Sequence, residues 1–564
     1  MFLVYLAIMH STTAIRLDMT NRQLTTITDK MFKTETTATI LSLNNNNISE
    51  IEAGAFEGLT LLERLYLQVN KIAILKVGLF QDLTSLSYLR LSDNEITELT
   101  PGVFRGLQSL KVLDVSGNRL PKLTKGMFNN LSALTKLFLK RNAITKIESG
   151  VFLDLQSLQE LYLDRNLLVI LTNNVFSDLV SLKVLQLNAN GILEIEPDAF
   201  RGLYALDVLF LVSNEIQDFS PGTFNDLHFL KGLYLSDNNL TNVTQGMFDN
   251  LTSLSRLDIK HNGIVEIQTG ALSGLHSMTS FYVMYNKLSK LKENMFRNLV
   301  SLTSLFLSYN DVKEITSGAF RSMRSLNNLS MMNNRLTYLT VDMFNDLVEL
   351  KSIYLSYNEI HTIASDTFIN LQSLSSIFLS NNKLTKLTRG MFQGLISLKT
   401  INLSFNEISD IAPGTFRNLY SLKYLNLNDN KLITIHIGTL TALSNLEQLR
   451  LNGNQLQEIP PDICKGEHKL QQLVISENKT YYASHGDFGD AITFRHICDS
   501  QMKHSTTIAD EQIATTQLQH VSTEATVLSV PLVAGMAIGS SGFIVSIIII
   551  LLLAMFRMRR LRKR

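Results

Sequence analysis

Residues able to do covalent or proton-transfer chemistry are present, but they do not converge. The eleven histidines are scattered along the 564 residues. There is no H-E-x-x-H, Cys/His cluster, phosphate loop or calcium loop, so neither a metal-activated water nor a phosphoryl clamp has its ligands. Gly539-Ser-Ser-Gly542 falls inside a long uncharged run and lacks the strand-to-helix setting of a nucleophile turn. The chemistry that recurs is hydrogen bonding. Asparagine occupies Asn46, Asn70, Asn94 and every 24th position onward to Asn478, nineteen in all. Its side chain accepts and donates from one short stem, which suits it to backbone groups that a turn leaves unpaired in a dry interior. Leucine or aspartate cannot do both jobs.

The elements that position these amides follow from their surroundings. Each asparagine sits in the frame L-x-x-L-x-L-x-x-N-x-L, as in Leu86-Ser-Tyr-Leu-Arg-Leu-Ser-Asp-Asn94-Glu-Ile96. Leu89 and Leu91 alternate with exposed residues, the period of a short strand. One such strand cannot bury its apolar face, so repeats stack in parallel into a solenoid. A second column, residues 32, 56, 80 and onward to 440, is Phe except at Leu272 and Leu440. These rings are expected to stack as a convex spine, with Phe281 compensating for the missing ring near Leu272. Leu17–Ile27 fits the frame with Arg22 in place of Asn, and residues 15–40 are read as an N-terminal capping repeat. The solenoid is assigned to residues 41–480, about 19 repeats of 24, and a C-terminal cap to 481–499. A disulfide between Cys464 and Cys498, the chain's two cysteines, is expected to tie that cap down, since an oxidising compartment permits it.

Charge and hydropathy place the ends. Six of the 51 basic residues lie in the last eight positions, which leaves 45 basic against 50 acidic elsewhere. That balance lacks the clustered cations of a polyanion binder, and no nucleic-acid partner is expected. Ala525–Phe556 carries no charge and exceeds the roughly 20 residues a membrane helix needs. The basic cluster after it marks the cytoplasmic side. The expected order is therefore a signal peptide over 1–14, an extracellular solenoid, a Ser/Thr-rich stalk over 500–526, a transmembrane helix over 527–556 and a basic tail over 557–564. Gly535-x-x-x-Gly539 within that helix offers a close approach between two spans, and so a homodimer.

The 24-residue frame with its G-x-F and Asn columns resembles the extracellular leucine-rich-repeat class, as in Toll-like receptor ectodomains, Slit proteins, the acid-labile subunit and variable lymphocyte receptors. The resemblance covers residues 15–480. It implies an α/β solenoid, a horseshoe with a parallel concave sheet and irregular or 3₁₀ segments outside, plus the one transmembrane helix. The cysteine-rich caps of those families are absent, and an eight-residue tail holds no Toll/interleukin-receptor domain. Any signal is expected to pass through a co-receptor or by clustering.

The concave face is where a ligand is expected. Its middle strand position is aromatic in nine repeats: Tyr66, Phe138, Tyr162, Phe210, Tyr234, Tyr282, Phe306, Tyr354 and Phe378. A neighbouring column adds Tyr285, Tyr309, Tyr357 and Phe405, with Met284 and Met332 between. The two columns coincide from about residue 282 to 405. Aromatics anchor interfaces because they bury large area at low entropic cost, but they are also ordinary strand residues. Nearer the N-terminus the face carries Arg64, Arg90, Lys136, Lys140, Arg141 and Arg165 among Asp93, Asp114, Glu160 and Asp164. A sulfated-glycan site and a merely solvated face are both open there. Sequons stand at Asn47, Asn130, Asn239, Asn242, Asn250, Asn328, Asn402 and Asn478, the last in the ladder, while Asn328 and Asn402 lie on the strand face beside the aromatics. The expected activity is non-enzymatic binding of an extracellular protein, alternatively a glycan, without cofactor or metal. A tethered or shed matrix protein and an innate-immune pattern binder remain alternatives.

Overall fold

The structure, a computed structural model, describes residues 15–456, 469–476 and 479–482. The expected signal peptide, Cys464, Cys498, Asn478, the cap beyond residue 482, the stalk, the transmembrane helix and the basic tail all lie outside the described residues.

Twenty three- to five-residue strands, one per repeat from Arg16–Asp18 to Gln472–Ser476, form one continuous parallel sheet. Each strand pairs with the next at an offset of 24, for example Ser304↔Asn328 and Leu305↔Leu329. A one-residue slip would turn every leucine outward, so the strict period of the sequence sets the register. The capping repeat joins directly: Arg16–Asp18 pairs with Ile40–Ser42. At the other end Lys479–Tyr482 turns back antiparallel on Gln472–Ser476, so the sheet closes in a hairpin.

The asparagines form the expected ladder. Asn310 Nδ2 donates to Val283 O and Leu307 O, each at 3.0 Å, and its Oδ1 accepts from Leu288 N at 3.0 Å. One amide thus satisfies its own turn and the turn before it. Arg22 has no such side chain, yet its backbone N–H still finds Asn46 Oδ1 at 2.8 Å.

The phenylalanine spine stacks with centroids 5.9 to 6.4 Å apart. Rings stacked in the middle of the sheet strands are 4.5 to 4.8 Å apart. Repeats therefore spread on the spine side and close up on the sheet side, which bends the solenoid with its sheet inward. At the break in the spine, Phe281 is fully buried and meets Phe296 edge-on at 6.4 Å.

The α part of the expected α/β solenoid is corrected: no helix occurs among the described residues, hence none long and apolar enough to cross a membrane. The convex side consists of successive tight turns. Val103 N bonds Thr100 O, Arg105 N bonds Gly102 O, and Leu107 N bonds Phe104 O. Gly102 at φ +86° and Gly106 at φ +99° interrupt this segment. A left-handed residue every few positions ends any right-handed run before a helical bond can close.

Candidate functional site

Four residues of each repeat face inward: two in the strand and two between the strand and the ladder asparagine. The mid-strand column brings candidate residues together in pairs. Tyr282 stacks on Phe306 at 4.7 Å and Tyr354 on Phe378 at 4.8 Å. Met284 and Met332 are half-buried between the aromatic columns. In the column just before the ladder, Tyr285 stacks on Tyr309 at 4.2 Å and on His261 at 4.1 Å. Tyr357 and Phe405 belong to that column too, each set apart from the preceding aromatic by an asparagine, Asn333 and Asn381.

This pre-ladder column has a backbone property that the spacing did not reveal. Every described residue in it, from Asn45 to Gly453, is left-handed. Asn, Asp and Gly adopt that region easily, whereas a bulky side chain there costs about 1–2 kcal/mol. Asn45, Asp93, Gly117, Asp237, Asn333, Asn381, Asp429 and Gly453 follow the easy rule. Tyr285, Tyr309, Tyr357 and Phe405 break it, with φ of 54° to 57°, as do Val69, Arg141, Arg165, Ala189, Ser213 and His261, but only from residue 285 onward are the exceptions all aromatic. They are 38%, 45%, 51% and 55% exposed, so core burial does not offset the strain.

A second property is the absence of charge. From Ser280 to Phe405 six repeats present 24 inward positions: eight aromatic residues, nine serines, one threonine, four asparagines and two methionines. None ionises near neutral pH. Aromatic, serine and asparagine together are the composition of antibody-like binding surfaces, rigid area combined with adaptable hydrogen bonding. The sequence carries this signal, but it emerges when charges are counted along the face rather than aromatics alone.

The charged stretch is organised differently. Arg90 pairs with Asp114 at 3.2 Å, Lys136 with Glu160 at 2.9 Å and Lys140 with Asp164 at 3.3 Å. Arg141 reaches Asp93 two repeats away at 2.9 Å. It passes Gly117, where a Cβ would lie 2.5 Å from the Asp93 carboxylate. Tyr162 donates its hydroxyl to Glu160 at 2.7 Å and stacks on Phe138 at 4.5 Å. Burial, the Glu160 bond and the nearby carboxylates push the Tyr162 phenol up to about 12. Burial also opposes ionisation of Glu160, but bonds from Tyr162 and Lys136 outweigh it and hold the carboxyl below its usual range.

Of the sequons, Asn47, Asn130, Asn239 and Asn250 are exposed and Asn242 half-buried, all away from the inward face. Asn328 and Asn402 are half-buried strand residues on it. The Asn402 carbonyl accepts from Ser404 N at 3.1 Å and Ser404 Oγ at 2.8 Å, which folds the sequon onto itself. Among the described residues no group of metal-binding side chains gathers.

Comparisons with known proteins agree with this architecture. The model described as leucine rich repeat matches residues 15–72, 62–120, 108–168, 132–192, 180–240, 373–432 and 421–479. Residues 241–374 match the BspA type leucine rich repeat region. No curated protein matches the chain. Among solved structures, the Drosophila Toll–Spatzle complex in its glycosylated form is 21% identical, with TM-score 0.59 over 77% of this chain and 60% of that one. The plant peptide hormone receptor RGFR1 in complex with RGF2 is 26% identical, with TM-score 0.50 over 82% and 78%. The TLR13–ssRNA13 complex is 22% identical, with TM-score 0.48 over 81% and 87%. These relatives lend no support to the expected exclusion of nucleic acid. The leucine rich repeat model matches more than half of the chain, which belongs to the leucine-rich-repeat family.

Proposed function

We propose that the chain is a single-pass cell-surface protein that holds an extracellular protein ligand on its inward sheet face between Tyr282 and Phe405. The observation that carries this reading is the row of exposed aromatics at left-handed positions. Stability alone favours Asn or Gly there, so Tyr285, Tyr309, Tyr357 and Phe405 point to a demand other than folding. The charge-free, serine- and asparagine-rich surroundings suit a protein surface better than a polyanion. The plant peptide hormone receptor RGFR1, in complex with RGF2, shares the repeat architecture and supports the reading. The uncharged run Ala525–Phe556 and the basic residues after it support a type I orientation. The role is binding without catalysis, with any signal passed through a co-receptor.

The test is affinity capture of extracellular proteins by the full chain in detergent, beside Tyr309→Ala/Tyr357→Ala. Selective loss of one captured protein from the variant is the expected result. Equal capture by both would sink the assignment of this face. Antibody staining of the repeats on intact cells, absent without permeabilisation, would sink the orientation.

A further inference from the structure

From Phe138 onward the mid-strand aromatics, eight of the nine, are arranged as stacked pairs with one non-aromatic repeat between pairs. Phe138/Tyr162, Phe210/Tyr234, Tyr282/Phe306 and Tyr354/Phe378 stack at 4.5, 4.6, 4.7 and 4.8 Å. The intervening repeats carry Gln186, Asp258 and Ser330. The whole pattern recurs every 72 residues. Across each gap the flanking rings stand two repeats apart, about 9.6 Å at about 4.8 Å per strand. That leaves room for one flat group at the row's own spacing.

The protein itself shows what such a gap holds. In the Asp258 repeat, the Arg256 guanidinium carbon lies 4.3 Å from the Tyr282 ring centre and 5.4 Å from that of Tyr234. A planar cation occupies the place of the missing ring, and the gap residue is a carboxylate, 3% exposed. At the Gln186 gap, Lys140 lies 4.3 Å from the Tyr162 ring centre and donates to Gln186 at 3.2 Å. The Ser330 gap differs. Ser330 shares a 2.7 Å hydrogen bond with Ser308, and among the described residues no cation of the chain lies over Phe306 or Tyr354. In the same repeat the pre-ladder column is also interrupted, by Asn333 between Tyr309 and Tyr357. Both rows therefore break at one uncharged repeat, with four aromatic residues around it.

We infer that this break is a socket for one aromatic side chain of the protein ligand, stacked between Phe306 and Tyr354 with Tyr309 and Tyr357 alongside. The inference rests on the reading of this face as a protein-binding surface. A guanidinium suits the socket less well, because none of the 24 inward positions offers a carboxylate to balance it and an unbalanced buried charge is costly. Ser330 and Asn333 supply hydrogen bonds to a phenol or indole.

The test selects peptides from a random displayed library on the detergent-solubilised full chain. Their affinities are then measured for Ser330→Tyr, which completes the row at a position already aromatic in nine repeats. Because that change also removes the Asn328 sequon, both forms are made without N-glycans. Selected peptides are expected to share one aromatic residue whose replacement by Ala weakens binding at least tenfold. Ser330→Tyr should cost a similar factor and abolish the effect of the Ala replacement. Peptides that bind Ser330→Tyr normally but are lost on Tyr285→Ala/Phe405→Ala would overturn the socket and leave the face. A shared arginine in place of the aromatic would overturn the aromatic assignment. A library yielding no peptide sensitive to any of these face variants would overturn both.

Discussion

The charged stretch around Arg90–Arg165 and the uncharged stretch from Ser280 to Phe405 stand on the same ladder, spine and register, and differ in where their side chains find partners. In the first, cations and carboxylates meet across one or two repeats, and even the Gln186 gap is engaged by Lys140. In the second, large rings stand exposed in a conformation that disfavours them, and one gap is left without a stacked cation. A face whose polar groups already pair within the chain loses those bonds when a partner displaces them. A face with unpaired ring surfaces gains area without that loss. The comparison teaches that charge density along a repeat protein is a poor guide to its ligand site when the charges pair internally.

The largest effect tests whether the two stretches really share one scaffold. Asn118→Ala and Asn310→Ala each leave one buried N–H, of Ile96 or Leu288, without its acceptor, and take from two buried carbonyls one of the two ladder amides that donate to them. At about 1 kcal/mol per lost bond, each should cost about 3 kcal/mol in denaturant unfolding. A clear difference between them would mean that the scaffold, and not the face alone, distinguishes the stretches.

Next is the left-handed column. Tyr309→Asn should raise stability by about 1 kcal/mol, because Asn tolerates that backbone, and should weaken ligand or selected-peptide binding at least tenfold. Opposite signs for stability and binding mark a residue kept for contact. A loss of both would make Tyr309 a structural residue and remove the main support for the site.

Salt sharpens the contrast further. With no charge on the inward face from Ser280 to Phe405, affinity at that face should change less than twofold when ionic strength rises severalfold, since screening acts on charges. Neutralising Arg90 or Lys136 should leave binding unchanged and cost about 1 kcal/mol or less, as exposed pairs do. A steep salt dependence would redirect the search to the charged stretch.

Much of this was legible before any coordinates. The ladder and spine follow from Asn46–Asn454 and Phe32–Phe416, because a strict period leaves one way to stack. The ten candidate ligand-contact residues, from Tyr282 to Phe405, were found by column, and the structure places them on one face. Three things were not legible. A one-residue step before each ladder asparagine looks like any turn, so the strain at Tyr285 or Tyr309 needed φ. Arg256 lies at a strand start, two residues from the gap it enters, and no spacing rule links the two. The G-x-F segments read as irregular or 3₁₀, but apolar spacing alone does not show that Gly102 and Gly106 are left-handed. The 72-residue recurrence of aromatic pairs was in the sequence, hidden by the stronger 24-residue period.

The smallest expected effect concerns Tyr162, where the charged stretch has already used an aromatic for itself. Its phenol is pushed up to about 12 by burial, by the bond to Glu160 and by the Glu160 and Asp164 carboxylates. A folded value above the unfolded one near 10 means that the native state holds its proton more tightly. The stabilisation is therefore fully present below pH 10 and is lost as pH rises from 10 through 12. Absorbance titration of the phenols in Tyr162→Phe should lack one late-ionising group, and the variant's stability should fall less over that window. If Tyr162→Phe loses stability as steeply as the unmutated chain over that window, the pairing of an aromatic with a carboxylate is not what separates the two stretches.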